Sequence, residues 1–132
     1  IILTFNPKKK SVEGRIEVLK NTLKKIKDTT ITNKLIDCTL IDIESIRAVV
    51  DTMKIVKNEY KLPVGCSPSN ASYLYKKREP ELLSKNFQSF DTSLNIILRS
   101  LGSDFLIYGP IKAYNRIFKS ITLYNTIQNY FD

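Results

Sequence analysis

A chain of 132 residues, 42% hydrophobic and 26% charged, has the size and apolar content for one domain with a real core. No apolar run approaches the ~20 residues that span a bilayer, and the apolar opening, residues 1–5, is too short and lacks the basic lead of a secretory signal. The formal net charge of +8 admits an acidic partner, but the lysines are scattered over helical stretches without interleaved aromatics, which argues against a nucleic-acid surface.

The first predicted strand covers residues 1–5, apolar except for Thr4, a composition suited to a strand covered on both faces. Asn6-Pro7 ends it, because proline cannot continue a central ladder. The absence of an initiating methionine before this strand suggests a fragment, a processed product or a truncated form. A helix follows, capped by Ser11, with Val12, Ile16, Leu19, Leu23 and Ile26 on one face. Gly14 weakens its first turn.

The second strand is expected at 34–38. Asp42 then caps a long helix whose buried stripe is Ile43, Ile46, Val49, Val50, Met53, Val56 and Tyr60. The third strand is expected at 62–66, followed by a short helix at 72–77 and a longer one over 80–101, with Gly102 as its stop. A fourth strand at 105–108 precedes a last helix over 113–130 that is expected to bury Ile117, Ile121, Tyr124, Ile127 and Phe131.

The alternation β-α-β-α-β-α-β-α implies parallel strands joined by right-handed crossovers. The fold class is α/β, four consecutive βα units, which is half of a TIM (β/α)₈ barrel of about 250 residues. Four strands do not close such a barrel. The remaining strands belong to a missing half, two copies associate, or the sheet stays open.

In parallel α/β folds, polar groups at the carboxyl ends of strands build active sites. The rim here carries Asn6, Asp37, Cys66, Ser67, Ser69, Asn70 and Tyr108. There is no histidine, so the chain holds no Ser-His-Asp or Cys-His site. No phosphate-binding glycine loop is present. Cys38 and Cys66 read as free thiols, buried or lining the site, in a reducing cytosol, and two thiols without histidine make a poor metal site, so no metal is expected. Amides, a carboxylate and small hydroxyls suit a flat, nitrogen-rich heterocycle, since a carboxylate accepts two N–H bonds and an amide both donates and accepts.

The segments Asn6-Pro7, Val12-Glu13-Gly14-Arg15, Ile36-Asp37, Leu62-Pro63-Val64-Gly65-Cys66-Ser67-Pro68-Ser69-Asn70-Ala71 and Gly102-Ser103-Asp104-Phe105-Leu106-Ile107-Tyr108-Gly109-Pro110-Ile111 resemble, in that order, the H subunit of tetrahydromethanopterin S-methyltransferase. The segments Pro63 to Ala71 and Gly102 to Ile111 are specific and the others weak alone. The resemblance spans nearly the whole chain and only the C-terminal half of the family's barrel. It implies a single partial pterin-binding domain over 1–132. It further implies transfer of the N5-methyl group of methyl-tetrahydromethanopterin to the cobalt(I) corrinoid of a partner subunit, toward coenzyme M in methanogenesis. The implied location is the cytoplasm, at the periphery of a membrane complex.

On this resemblance Asn70 matches the asparagine beside N5 of the pterin and is the catalytic candidate. Asp37 matches the carboxylate that pairs with the aminopyrimidine edge, and Asn6, Cys66, Ser67 and Ser69 are further substrate-binding candidates. Bland readings stand beside these: a turn or helix cap for Asn70, a capping or barrel-stabilising carboxylate for Asp37, a turn for Asn6. Arg15 reads as a contact to a polar tail or as a surface salt bridge. Alternative functions are another pterin-dependent corrinoid methyltransferase, or a non-catalytic half-barrel module that forms a homodimer through its open strands.

Overall fold

The computed structural model describes residues 1–131. Four short strands, β1 (Ile2–Leu3), β2 (Ile36–Asp37), β3 (Val64–Cys66) and β4 (Phe105–Leu106), form one parallel sheet in the order β1-β2-β3-β4. Ile36 pairs with both Ile2 and Val64, and Gly65 pairs with Phe105. The expected α/β class and the four βα units are therefore observed. They are consistent with half of an eight-stranded barrel.

The helices are α1 (Val12–Lys25), α2 (Ile46–Ile55), α3 (Pro68–Arg78), α4 (Pro80–Leu83), α5 (Phe87–Ser100) and α6 (Tyr114–Gln128). Ser11 caps α1 as expected, its hydroxyl accepting from the Gly14 amide. Asp42 caps a 3₁₀ turn, Ile43–Ser45, that leads into α2. A π-helical turn, Val56–Tyr60, closes that segment, with Lys61 in the left-handed region. Gly102, at φ +106°, ends α5 in the conformation glycine adopts without strain.

Several boundaries differ from the expectation. All four strands are shorter than expected, and β3 is shortened only at its amino end. α3 begins four residues before the expected start. Proline is favoured in the first helical turn, where its missing N–H has no partner to lose, so Pro68 opens the helix after Ser67. The helix expected over 80–101 is broken into α4 and α5 by the polar run Ser84, Lys85, Asn86, in which Ser and Asn compete for backbone bonds.

Consecutive parallel pairing with right-handed crossovers places every helix on one face of the sheet. That face is the core: Ile2, Ile36, Cys38, Val64 and Cys66 pack against Leu19, Val49, Val50, Met53, Val56 and Leu98. Strand alternation sends Leu3, Leu35, Asp37, Gly65, Phe105 and Ile107 to the opposite face. There Leu3 is 58% exposed, Leu35 40% and Ile107 37%. The expectation of a first strand covered on both sides is corrected accordingly: only its helix-facing side is covered.

The stripe expected on the last helix is also only partly buried. Ile117 is buried and Ile121 and Tyr124 are half-buried, whereas Ile127 and Phe131 are exposed. α6 packs on α5 at the end of the row of helices, so nothing among the described residues covers its far side.

Candidate active site

The carboxyl ends of β3 and β4 border a groove of about 680 Å³. Its polar lining comes from Ser67, Ser69 and Asn70 at the start of α3, and from Tyr108 after β4. Ile41, Tyr73, Leu74 and Ile107 supply apolar walls, and Lys77, one of the residues lining the groove, carries a positive charge. Tyr108 is held edge-on against Phe118, with ring centroids 5.7 Å apart and planes at 89°. A smaller depression between α1 and α2, about 480 Å³, is lined largely by helix-surface residues such as Glu13, Glu17 and Lys20 and lies away from the strand ends.

Asn70 is exposed at the groove, and its side-chain amide bonds to no other described residue. Its backbone N–H donates to the Ser67 carbonyl at 3.3 Å. Neither Ser67 nor Asn70 uses its side chain to cap α3. A capping role for Asn70 is thus absent, and its amide is free to donate and accept.

Ser67 is half-buried on the groove. Ser69 also lines it but is 4% exposed, with its hydroxyl directed to the buried carboxylate of Asp91 at 3.3 Å. Gly109, from the loop after β4, lies against Ser69. A Cβ on that glycine would come within 3.0 Å of the Ser69 Oγ. The loop after β4 therefore meets the start of α3 at Ser69.

Asp37, Asn6 and Cys66 do not line this groove. Asp37 sits at the end of β2, 5% exposed, with Oδ1 accepting from the Thr39 amide at 2.7 Å. Burial raises its pKa above the ordinary carboxylate value, while the Thr39 N–H bond and the Arg15 charge pull it down. Thr39 adopts φ +47°, a left-handed conformation costly for a β-branched residue. Such outliers persist where surrounding bonds over-determine them, and they concentrate at functional sites.

Arg15 is one of the bonds that hold Thr39. It is 1% exposed, and its Nη1 donates to the carbonyls of Cys38 at 2.6 Å and Thr39 at 3.0 Å. Its Nε donates to the Lys10 carbonyl at 3.3 Å. The reading of Arg15 as a surface ion pair is corrected: the guanidinium is a buried bracket for the end of β2. Its position one turn into an amphipathic helix beside a rim loop gives no signal that separates these roles.

Asn6 forms a turn. Its Oδ1 accepts from the backbone amides of Lys8 and Lys9 at 3.0 and 3.1 Å, and its Nδ2 donates to the Gly14 carbonyl at 3.4 Å. Cys66 lies in the core on the helix side of the sheet, beside Cys38, and both are free thiols. Burial pushes both up to about 12, so neither is a thiolate at neutral pH. No group of acidic, cysteine or histidine residues among the described residues is arranged to hold a metal ion. No helix among them is long and apolar enough to cross a membrane.

A family model described as "Tetrahydromethanopterin S-methyltransferase MtrH subunit" matches residues 1–132. Among curated proteins, the chain is 26% identical over 138 residues to the H subunit of tetrahydromethanopterin S-methyltransferase from Methanosarcina mazei, covering 93% of this chain and 43% of that protein. It is 27% identical to the H subunit from Methanopyrus kandleri, covering 96% and 46% respectively. The corresponding figures for the Methanothermobacter marburgensis protein are 29%, 93% and 43%. The chain thus spans less than half the length of these relatives.

Proposed function

Because the chain belongs to the family of tetrahydromethanopterin S-methyltransferase H subunits, we propose that it is part of a methyltransferase that takes the N5-methyl group from methyl-tetrahydromethanopterin. The acceptor in this reading is the cobalt(I) of a corrinoid carried by a partner subunit of a membrane-associated complex. The single observation that carries the reading on this chain is Asn70, an asparagine whose amide is free at a groove on the carboxyl rim of the sheet. The whole of 1–132 is then one partial pterin-binding domain, corresponding to half of a (β/α)₈ barrel.

The chemistry follows from what leaves. The N5–methyl bond breaks, the methyl goes to cobalt, and the bonding pair stays on N5, which takes a proton. An amine anion is a poor leaving group, so a donor that strengthens toward N5 as charge develops lowers the barrier. The Asn70 Nδ2 is free to donate in this way. Its bond is worth more in the transition state than in the ground state, which is what raises turnover rather than affinity alone.

Asp37 would receive the aminopyrimidine edge. Thr39 occupies Oδ1, and no other donor among the described residues reaches Oδ2. Its location supports a role on the open face of the sheet, which a closed barrel would turn into the interior. Ser67 and Ser69 would border the pterin, with Asn6 and Cys66 as more distant candidates that shape the rim and the core.

Binding of methyl-tetrahydromethanopterin to the purified protein, measured by fluorescence or calorimetry, tests this reading. Saturable binding that is lost in Asp37→Ala and weakened but retained in Asn70→Ala is expected. No binding at all, or binding indifferent to both substitutions, would overturn it.

A second reading is favoured by the open face, where Leu3, Leu35 and Ile107 are exposed and β1 and β4 each present an unpaired edge. Two copies could close eight strands into a homodimer that serves as an assembly module. Sedimentation equilibrium decides it: a stable dimer without pterin affinity supports the module, and a monomer removes it.

A further inference from the structure

We propose that Asp91 is a positioning residue that fixes Ser69 and Asn70 at the groove, acting with Arg116 from the next helix. This rests on the proposed role of Asn70. Asp91 lies on α5 and is 0% exposed. Three donors converge on its carboxylate. Ser72 Oγ reaches Oδ1 at 2.5 Å, Ser69 Oγ reaches Oδ1 at 3.3 Å, and Arg116 Nη2 reaches Oδ2 at 2.6 Å.

The node joins three helices. Both serines stand on the first turns of α3, while Arg116 stands on α6. The same guanidinium also donates from Nη1 to Thr92 Oγ1 at 2.9 Å and to the Gln88 carbonyl at 3.3 Å. The Asp91 carbonyl accepts from Asn95 Nδ2 at 2.7 Å. Every oxygen of Asp91 is therefore engaged, and its charge is countered by Arg116.

A buried, fully paired carboxylate is a poor device for stability, because well-packed apolar residues of similar volume serve as well or better. What it supplies is direction. The hydroxyl of Ser69 has Asp91 on one side and Gly109 of the β4 loop on the other. Asn70 is the next residue and has no bond of its own to hold its side chain. The carboxylate thus sets the azimuth of the first turn of α3, and with it the direction in which the Asn70 amide leaves the helix.

The test is amide hydrogen exchange on the wild type, Asp91→Asn and Ser69→Ala, comparing the segment 67–74 with the middle of α1. Positioning predicts local loosening: exchange in 67–74 rises by about tenfold, the scale of one lost bond to a charged group, while α1 keeps its wild-type rates. A uniform rise in both segments, or no change in 67–74, overturns the proposal. Ser69→Ala deletes one hydroxyl and keeps the Asp91–Arg116 pair, so it decides the matter if Asp91→Asn does not fold.

A second readout separates the two proposals. Methyl-tetrahydromethanopterin titrated into the same variants should bind about tenfold more weakly than to the wild type, in line with the lost bond. Equal affinity in variants with faster exchange overturns the functional half of the assignment. Failure of the wild type to bind any pterin removes the methyltransferase reading, while the exchange result still judges whether Asp91 orders the rim.

Discussion

Replacing Arg15 with methionine removes a charge and a fork of donors while keeping an unbranched apolar stem of similar reach. Two buried carbonyls, of Cys38 and Thr39, and one partly buried carbonyl, of Lys10, lose their donor. Hydrogen bonds to charged groups contribute about 1.5–3 kcal/mol each, so the two short ones represent about 3–6 kcal/mol. Some of this is offset, because burial penalises the guanidinium and lowers its pKa despite the opposing influence of Cys38, Asp42 and Asp37. A net loss of about 3–4 kcal/mol is expected, in the range found when a buried charged partner is removed.

That loss is a large part of the stability of a domain this size. Urea unfolding followed by circular dichroism measures it directly, with the slope of the transition checked for constancy. Arg15→Lys should fall between the two, since one ammonium cannot reproduce the planar fork. The Thr39 backbone should relax from its left-handed conformation in Arg15→Met, with loss of the Asp37–Thr39 bond. A change below about 1 kcal/mol would refute the reasoning, because it would mean that water replaces the guanidinium at little cost.

Three further outcomes are expected. Asp37 has a raised pKa in the folded state, so the stability it contributes is fully present below its unfolded value and is lost as the pH rises through its folded one. Asp37→Asn should remove that loss and leave the protein at least as stable as the wild type at pH 7 by thermal unfolding, and a clear drop in its midpoint would contradict this. Gly65→Ala should cost about 1–3 kcal/mol in urea, because the new Cβ overlaps the Phe105 carbonyl oxygen and comes within 2.7 Å of its ring; an unchanged midpoint would show that β3 and β4 separate freely. Cys38 and Cys66 should resist a thiol reagent at pH 8 until urea unfolds the chain, whereas rapid labelling of the native protein would contradict their burial.

The sequence is most legible where periodicity and punctuation agree. The stripe Ile43 to Tyr60 is buried or half-buried as its spacing requires, and Ser11, Asp42 and Gly102 act at the helix ends where their chemistry places them. The residues around Ser67, Asn70 and Tyr108 are visible as a rim because polar residues follow two short apolar runs. What escapes a reading of the sequence is set by long-range contact. Nothing local marks Arg15 as buried, since its two buried partners, the carbonyls of Cys38 and Thr39, lie 23 and 24 residues away. Asp91 reads as one polar residue on an amphipathic helix, and only the arrival of α3 and α6 makes it a node. The exposed end of α6 departs from expectation for the complementary reason: its stripe is apolar, but a helix at the end of the row has no neighbour there.

The proposed role of Asn70 is to assist departure of the methyl group from N5. The most direct measurement is the rate of methyl transfer from methyl-tetrahydromethanopterin to free cob(I)alamin, followed by the disappearance of the cobalt(I) absorbance, for the wild type and Asn70→Ala. Transfer by the wild type, with a loss of about 10²–10³-fold in turnover for Asn70→Ala at saturating pterin, is the predicted result. Wild-type transfer at the uncatalysed rate, or an Asn70→Ala rate equal to that of the wild type, would contradict it.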